Sequence, residues 1–330
     1  MLFRSVSRLS SASSCAGRPA NASGWFVADR SSDAQPLVSV VLTSTTGGRA
    51  LLDCIESFKR QGTPAELEIV VAACPSADSG DGASRPDPRV RVLQFSGRRS
   101  IPELRAAGLG AARGRILAMS QDRCVAGDGW LAAVIEAHRS ADAAIGGAVE
   151  PAADARTVDW AVYFCEYGRY MLPFAAGPSD DLAGPNVTYK REALVEFEDL
   201  LRAGTWEPLW HWRLKERGLS MRRDPRLIVY HRRHFTFSGF VRERYHYARS
   251  FAGQRFAHRA WVRRWLFAAG TPLLPVLVLF RMTRQIVPKR RHRREFLRAF
   301  LFIVVFSIAW AIGESVGYVF GSGQSAARID

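Results

Sequence analysis

Short apolar runs alternate with longer stretches of helical period between Leu37 and Val149, the order of an α/β domain with a mostly parallel sheet. Leu37-Val-Ser-Val-Val-Leu-Thr43 reads as a buried parallel strand. Gly47-Gly48 then opens a helix that carries Leu51, Leu52, Ile55 and Phe58 on one face. Leu67 to Ala72 is a second strand, and Val90 to Phe95 a third, after a Pro/Gly/Ser/Asp loop from Pro75 to Pro88. Pro102 to Arg113 reads as a helix, Ile116 to Met119 as a fourth strand and Trp130 to Arg139 as a helix. Ala143 to Val149 completes an expected five-strand core.

Beyond Pro151 the pattern loosens. Trp160 to Tyr170 is rich in aromatics, and Tyr163, Tyr167 and Tyr170 are expected to pack a core rather than stack on sugars. A Gly/Pro loop spans Ala183 to Arg191, a helix ends near Gly218, and Leu227 to His231 is a short strand. Two apolar segments close the chain: Trp265 to Phe280, broken by Pro272 and Pro275, and Phe300 to Gly313. Each is shorter than the roughly 20 residues that cross hydrocarbon comfortably. Both are flanked by basic residues, at Arg259 to Arg264 and at Pro288 to Arg294, and positive flanks stay on the cytoplasmic side. The first segment is therefore expected to be re-entrant or interfacial, and the second to cross or to lie similarly; the competing expectation is two core helices of a soluble domain. The division that follows is a leader over 1–34, an α/β domain over 35–235 and a basic amphipathic membrane-surface helix over 236–264. A hydrophobic helical pair over 265–321 and a tail over 322–330 complete it.

Composition changes this picture in one respect. Hydrophobic residues at 48% and charged residues at 23% are ordinary for a globular chain, but the net charge of +15 is not. Arginines crowd between Arg213 and Arg298 and call for an anionic partner. Aromatics interleaved with arginines from Phe237 to Trp265 also describe a single-stranded nucleic-acid surface. No nucleic-acid motif accompanies them and apolar segments follow at once, so anionic lipid is the expected partner and nucleic acid is not. The five cysteines are scattered without a CxxC pair, which argues against a disulfide framework or structural zinc and fits a reducing compartment. Met1 to Gly24 is rich in Ser, Arg and Ala with no acid before Asp29; it reads as a disordered leader or a transit-like address.

The candidate chemistry lies in Gly114 to Trp130, where an apolar strand ends on Asp122. Open α/β sheets bind ligands at such carboxyl ends, and a carboxylate there is placed for a divalent cation or a sugar hydroxyl. Alone, Asp122 reads equally as a helix N-cap or turn residue. With Arg105-Ala-Ala-Gly-Leu before it, the stretch resembles the nucleotide-sugar site of family 2 glycosyltransferases, which have the GT-A fold. The order is kept from Val38 to His231. The resemblance implies a Rossmann-like, mostly parallel sheet flanked by helices, with Thr43 and Thr45 facing the base or ribose and Arg105 meeting the diphosphate. Asp122 matches the last acid of Asp-x-Asp and His231 the late ligand; together they imply Mg2+ or Mn2+. Glu207, beside Trp206, matches the catalytic base, and Asn186 lies in a loop like the Gly-x-Asn-x-x-x-Arg-Arg segment that shapes the donor pocket. Two positions depart: Ala72-Ala73-Cys74 stands where the family has Asp-Asp, with Asp78 and Asp81 the nearest acids, and Ser120 replaces the first acid of Asp-x-Asp.

The implied function is an inverting, membrane-associated glycosyltransferase. It would move a sugar from a nucleotide-diphosphate donor to a lipid-linked or polysaccharide acceptor, with its catalytic domain on the cytoplasmic face of the inner (plasma) membrane. The departures support an alternative of another class, a catalytically degenerate GT-A module that binds a glycan or lipid head group or acts as a scaffold.

Overall fold

The structure, a computed structural model, describes residues 35–45, 47–63, 66–74, 87–257 and 260–329. The expected leader, Asp78 and Asp81 lie outside the described residues. In chain order the first half folds as β1 (Val38–Ser44), α1 (Gly48–Lys59), β2 (Leu67–Ala73), β3 (Val90–Gln94), α2 (Ile101–Ala111), β4 (Ile116–Gln121), β5 (Cys124–Ala126), α3 (Trp130–Ala137) and β6 (Ala144–Pro151). It continues as α4 (Thr157–Glu166), β7 (Gly177–Pro178), a 3-10 turn at Gly184–Asn186, β8 (Val187–Lys190), α5 (Glu198–Arg202), α6 (Glu207–Glu216) and β9 (Met221–His231). Four helices close the chain: α7 (Phe237–Arg255), α8 (Trp261–Gly270), α9 (Leu274–Ile286) and α10 (Arg293–Phe320).

The strands form one mixed sheet in the order β3-β2-β1-β4-β8-β6-β9-β5, with β7 pairing β9. β1 to β4 run parallel, whereas β8 is antiparallel to both β4 and β6. The chain moves outward from β1 through β2 to β3, then returns to the other side of β1 as β4. α1 and α2 consequently fall on opposite faces. Alternation along β1 feeds both: Val38, Val40 and Leu42 join a core with Phe58 of α1 and Trp130 of α3, while Val41 joins Leu109 of α2, Tyr189 and Trp210.

The sequence reading missed β5, β8 and the first half of β9. β5 and β8 are too short to show a period, and β9 is interrupted by Asp224-Pro225, which removes a ladder donor. β9 still pairs with β6 at both ends, over Met221–Arg223 and Ile228–His231, across a register shift between Gly146 and Ala148. The expected single helix over 236–264 is two: α7 ends at Arg255 and α8 begins at Trp261.

The closing helices share the core of the α/β unit. Phe296, Ala299, Ile303 and Phe306 of α10 belong to the same apolar cluster as β1 and α1. α7 lies alongside α10, with Tyr245 and Arg249 backbone so close that Gly313 and Gly317 have no room for a side chain. Arg264 donates to the Tyr318 and Val319 carbonyls, at 2.6 Å and 3.1 Å, and so ties the start of α8 to the end of α10. The expectation that both apolar segments are too short to span is corrected in length alone: they lie within helical stretches of 29 residues, Trp261–Lys289, and 28 residues, Arg293–Phe320, the latter extending about 42 Å.

Gly147 marks the tightest crossing in the sheet. A Cβ there would stand 2.1 Å from the Leu227 carbonyl oxygen and 2.4 Å from Asn186 Nδ2. Gly147→Ala is expected to destabilise the fold by about 3 kcal/mol, at the upper end of overpacking costs, as read from the urea midpoint. Wild-type stability would show that the β6–β9 crossing relaxes freely.

Candidate functional site

The site is assembled at the carboxyl ends of β1 and β4. Their parallel register sets Thr43 opposite Gln121, and Asp122 N–H donates to the Thr43 carbonyl at 3.1 Å. This brings the Asp122 carboxylate to Ser44, whose hydroxyl donates to Oδ2 at 2.7 Å and accepts from Gly47 N–H at 2.9 Å. Asp122 is buried and its Oδ1 lies 3.7 Å from Arg123 Nε. It does not cap the next helix, because the N-cap of α3 is Gly129 in the left-handed conformation. Thr43 is buried and Thr45 half-buried on the same strand end. Ser44 was missed by the sequence reading; its only signal was its place between Thr43 and Thr45.

At the equivalent end of β2, Ala73 pairs with Ser44, and Cys74 Sγ accepts from Arg99 N–H at 3.1 Å. On the other side, β5 sets Cys124 opposite His231 of β9, two residues beyond Asp122. The His231 ring lies 5.1 Å from Tyr167 and stacks on Phe235 at 6.1 Å. Burial, then the positive charges of Arg233 and Arg123, pull its imidazole down to about 3, so it is neutral at physiological pH. Burial likewise pushes the Cys124 thiol up to about 12, which keeps it protonated.

Arg105 and Glu207, expected to serve diphosphate and acceptor separately, are joined to each other. Arg105 sits on α2, which a capping box between Ser100 and Glu103 starts at a defined residue. Glu207 opens α6, ahead of Pro208. Arg105 Nη1 and Glu207 Oε1 form an ion pair with side chains only 3% and 6% exposed. The guanidinium also lies 5.9 Å from the centre of the Trp206 ring. Burial pulls Arg105 below the ordinary guanidinium range. Gly184 closes over the pair; a Cβ there would stand 3.3 Å from both Arg105 Nη2 and Glu207 Cδ.

Asn186 is fully buried. Its Nδ2 donates to the Ala148 and Leu227 carbonyls, at 2.8 Å and 3.0 Å, and its Oδ1 accepts from Trp130 Nε1 at 3.0 Å. In this arrangement the side chain braces β6, β9 and α3 rather than facing a ligand. Tyr163 and Tyr170 also serve the scaffold, donating to the Val149 carbonyl and to Asp181, both at 2.9 Å.

A divalent ion needs several oxygen or nitrogen donors at one point. Among the described residues no three His, Cys, Asp or Glu side chains gather in this way. Asp122 stands without the second carboxylate of the motif, and its Oδ1 faces an arginine instead. The residues present therefore do not make a metal site by themselves.

The buried ion pair generates a stability prediction. Glu207→Gln, which leaves Arg105 buried opposite a neutral partner, is expected to cost about 3–5 kcal/mol in urea unfolding. Replacing both partners by Arg105→Met and Glu207→Leu is expected to cost less than either single change. A double variant as unstable as the sum of the singles would mean that the two charges do not act as a pair.

No family model matches the chain, and no curated protein does. Solved structures do. The mannosyltransferase PcManGT from Pyrobaculum calidifontis, solved in complex with GDP-Man and Mn2+, superposes with a TM-score of 0.55 over 85% of this chain and 87% of its own, at 14% identity. Residues 1–349 of S. aureus TarS give a TM-score of 0.46 over 85% of this chain and 90% of that one, also at 14% identity. The first likeness gives the chain a GT-A-like fold, as the sequence order implied.

Proposed function

We propose that the protein is a nucleotide-sugar-dependent glycosyltransferase that works at a membrane surface on a lipid-linked or polysaccharide acceptor. One observation carries this reading: Ser44 and Asp122 meet where the strand order reverses between β1 and β4. Such a switch point opens a crevice at the carboxyl ends of the strands, where α/β proteins take their ligands. The fold it shares with PcManGT is consistent with this use.

In this reading Thr43 and Thr45 border the base and ribose, and Asp122, held by Ser44, orients the donor beside the crevice. Glu207 takes the proton of the acceptor hydroxyl, and Arg105, freed from it, meets the charge that gathers on the leaving diphosphate. In this reading substrates separate the buried Arg105–Glu207 ion pair. One base and no nucleophile give inversion at the sugar carbon. Calorimetry with nucleoside diphosphates and their sugars, run with Mg2+, with Mn2+ and with EDTA, is expected to find at least one that binds. Asp122→Asn is expected to weaken it by about tenfold or more.

A second reading has its own support. Ala72-Ala73-Cys74 offers no carboxylate at the end of β2, and Cys74 is engaged by Arg99. A binding or scaffold module without catalysis fits those facts. Absence of binding by every nucleotide, in all three conditions, would favour it over the transferase.

The closing helices support an in-plane seat on the bilayer. Trp261 to Lys289 and Arg293 to Phe320 are long and apolar enough to cross a membrane, with mean hydropathy of 1.6 and 2.2. Their inner faces are nevertheless part of the protein's core, and the polar helix α7 runs beside α10. Crossing would drag Arg242 and Arg249 of α7 into hydrocarbon. The outer faces expose Trp265, Leu266, Val276, Leu277 and Phe280 on α8 and α9, and Leu297 and Leu301 on α10. The connector is held to the α/β unit by Arg291, which pairs with Glu150 at 2.8 Å, and by Lys289, which donates to the Arg169 carbonyl at 3.1 Å. Both basic flanks then face anionic headgroups on the side of the active site, the cytoplasmic one.

Leu277→Glu together with Leu301→Glu tests this seat. Each leucine contributes about 1.5–3 kcal/mol when buried in lipid, so partition onto phosphatidylglycerol vesicles is expected to fall about 100-fold or more with folding intact. Unchanged partition would remove the proposed face from the membrane.

A further inference from the structure

A concentration of positive charge lies beside Asp122, on the side of Arg123 rather than Ser44. A cavity of about 210 Å³ opens there between the β4–β5 turn, the loop after β9, the first turn of α7 and the end of the chain. Arg123, Arg233, Arg242 and Arg328 line it, with His234, and Glu243 is the one acidic side chain in its wall. The arginines come from separate parts of the fold. Arg123 is fixed through its own carbonyl, which accepts from Arg232 N–H at 2.7 Å. Arg233 pairs with Glu243 at 3.0 Å and lies over the Phe235 ring at 4.3 Å, which orients its guanidinium.

Four guanidinium groups around one cavity repel one another, and the carboxylates of Glu243, on Arg233, and Asp122, on Arg123, offset only part of that charge. Arg242 and Arg328 are exposed and make no ion pair with a carboxylate among the described residues. A second feature points the same way. Thr236 caps α7, accepting from Gly239 N–H at 3.2 Å, and both residues line the cavity. The first turn of a helix of 19 residues, its positive end, therefore forms part of the wall of the same space.

We infer that this cavity binds a phosphate or diphosphate group, with arginines from the two ends of the carboxyl-terminal segment supplying the cationic contacts. Planar guanidinium groups match phosphate oxygens in a bidentate manner, and the cavity holds a group of that size. The site deepens the transferase reading by placing phosphate recognition on arginines next to Asp122, where, among the described residues, three protein donors for a metal do not gather. It rests on that reading only for the source of the phosphate, which is either the donor's diphosphate or the phosphate of a lipid headgroup presented at the bilayer.

The test uses the full-length protein and inorganic pyrophosphate in EDTA, so that neither turnover nor a nucleotide is needed. Wild type is expected to bind pyrophosphate, and Arg242→Ala with Arg328→Ala to bind it about tenfold or more weakly, the loss of at least one charge-assisted contact. Both side chains are exposed, so the melting temperature is expected to stay at the wild-type value, and Arg242→Lys with Arg328→Lys is expected to recover part of the affinity. Two further titrations of the alanine variant identify the source. Weaker binding of nucleoside diphosphates with unchanged binding to phosphatidylglycerol vesicles assigns the pocket to the donor, and the reverse assigns it to the headgroup. Pyrophosphate affinity equal in wild type and the alanine variant, or no binding to wild type, overturns the inference, whatever the nucleotide titrations show.

Discussion

The reversal of strand order at β1 is the constraint on which the rest of the arrangement depends. Because β2 and β3 go one way and β4 the other, α1 and α2 must cover opposite faces, and Thr43, Ser44 and Asp122 come together, buried, where β1 and β4 end. A short register then does the chemical work. Thr43 opposite Gln121 brings Ser44 to Asp122, and Cys124 opposite His231 sets the end of β9 next to the same turn. Arg105 reaches Glu207 because α2 lies on the face that α6 also covers, where Val41, Leu109 and Trp210 share a core. The glycine at 184 completes that closure, since a Cβ there would press on the ends of both side chains at 3.3 Å.

The carboxyl-terminal helices follow from the same economy of faces. α10 has an inner stripe that the sheet core absorbs and an outer stripe left to the surroundings. A helix that spans a bilayer alone has no reason to contribute Phe296, Ile303 and Phe306 to a domain core. The coupling fixes how far the crevice stands from the exposed apolar face, and it explains why arginines that read in sequence as a membrane-facing run are partly used inside. Arg244 is buried, reaches Glu166 at 3.4 Å and lies over the Trp310 ring at 4.1 Å.

Legibility in the sequence followed the length and continuity of the apolar runs. β1, β2 and β4 are buried on both faces and appear as mainly apolar stretches, with Ser39 and Glu68 the interior exceptions in β1 and β2, so the order of the first half could be read directly. β5 and β8 hold too few residues for a period, and Asp224-Pro225 hides the first half of β9. Asp122 was visible because it ends an apolar strand. Ser44 was not, because a serine beside two threonines carries no signature until the register of β4 is known. The Arg105–Glu207 pair and the arginine cavity join residues far apart in sequence, so their types were legible but their partnership was not. Asn186 was read from a motif, and its motif position and its structural duty differ: the amide that a family pattern would assign to the donor pocket holds three backbone and indole groups together.

We propose that the carboxyl ends of β1 and β4 serve transfer of a sugar from a nucleotide. The most direct measurement incubates full-length protein with a panel of nucleotide sugars and a membrane lipid extract, and follows release of nucleoside diphosphate together with the mass of new glycolipid. Diphosphate release from at least one donor is expected, matched by a glycosylated product and dependent on the added extract. No release from any donor, with binding of nucleotide also absent, would contradict it.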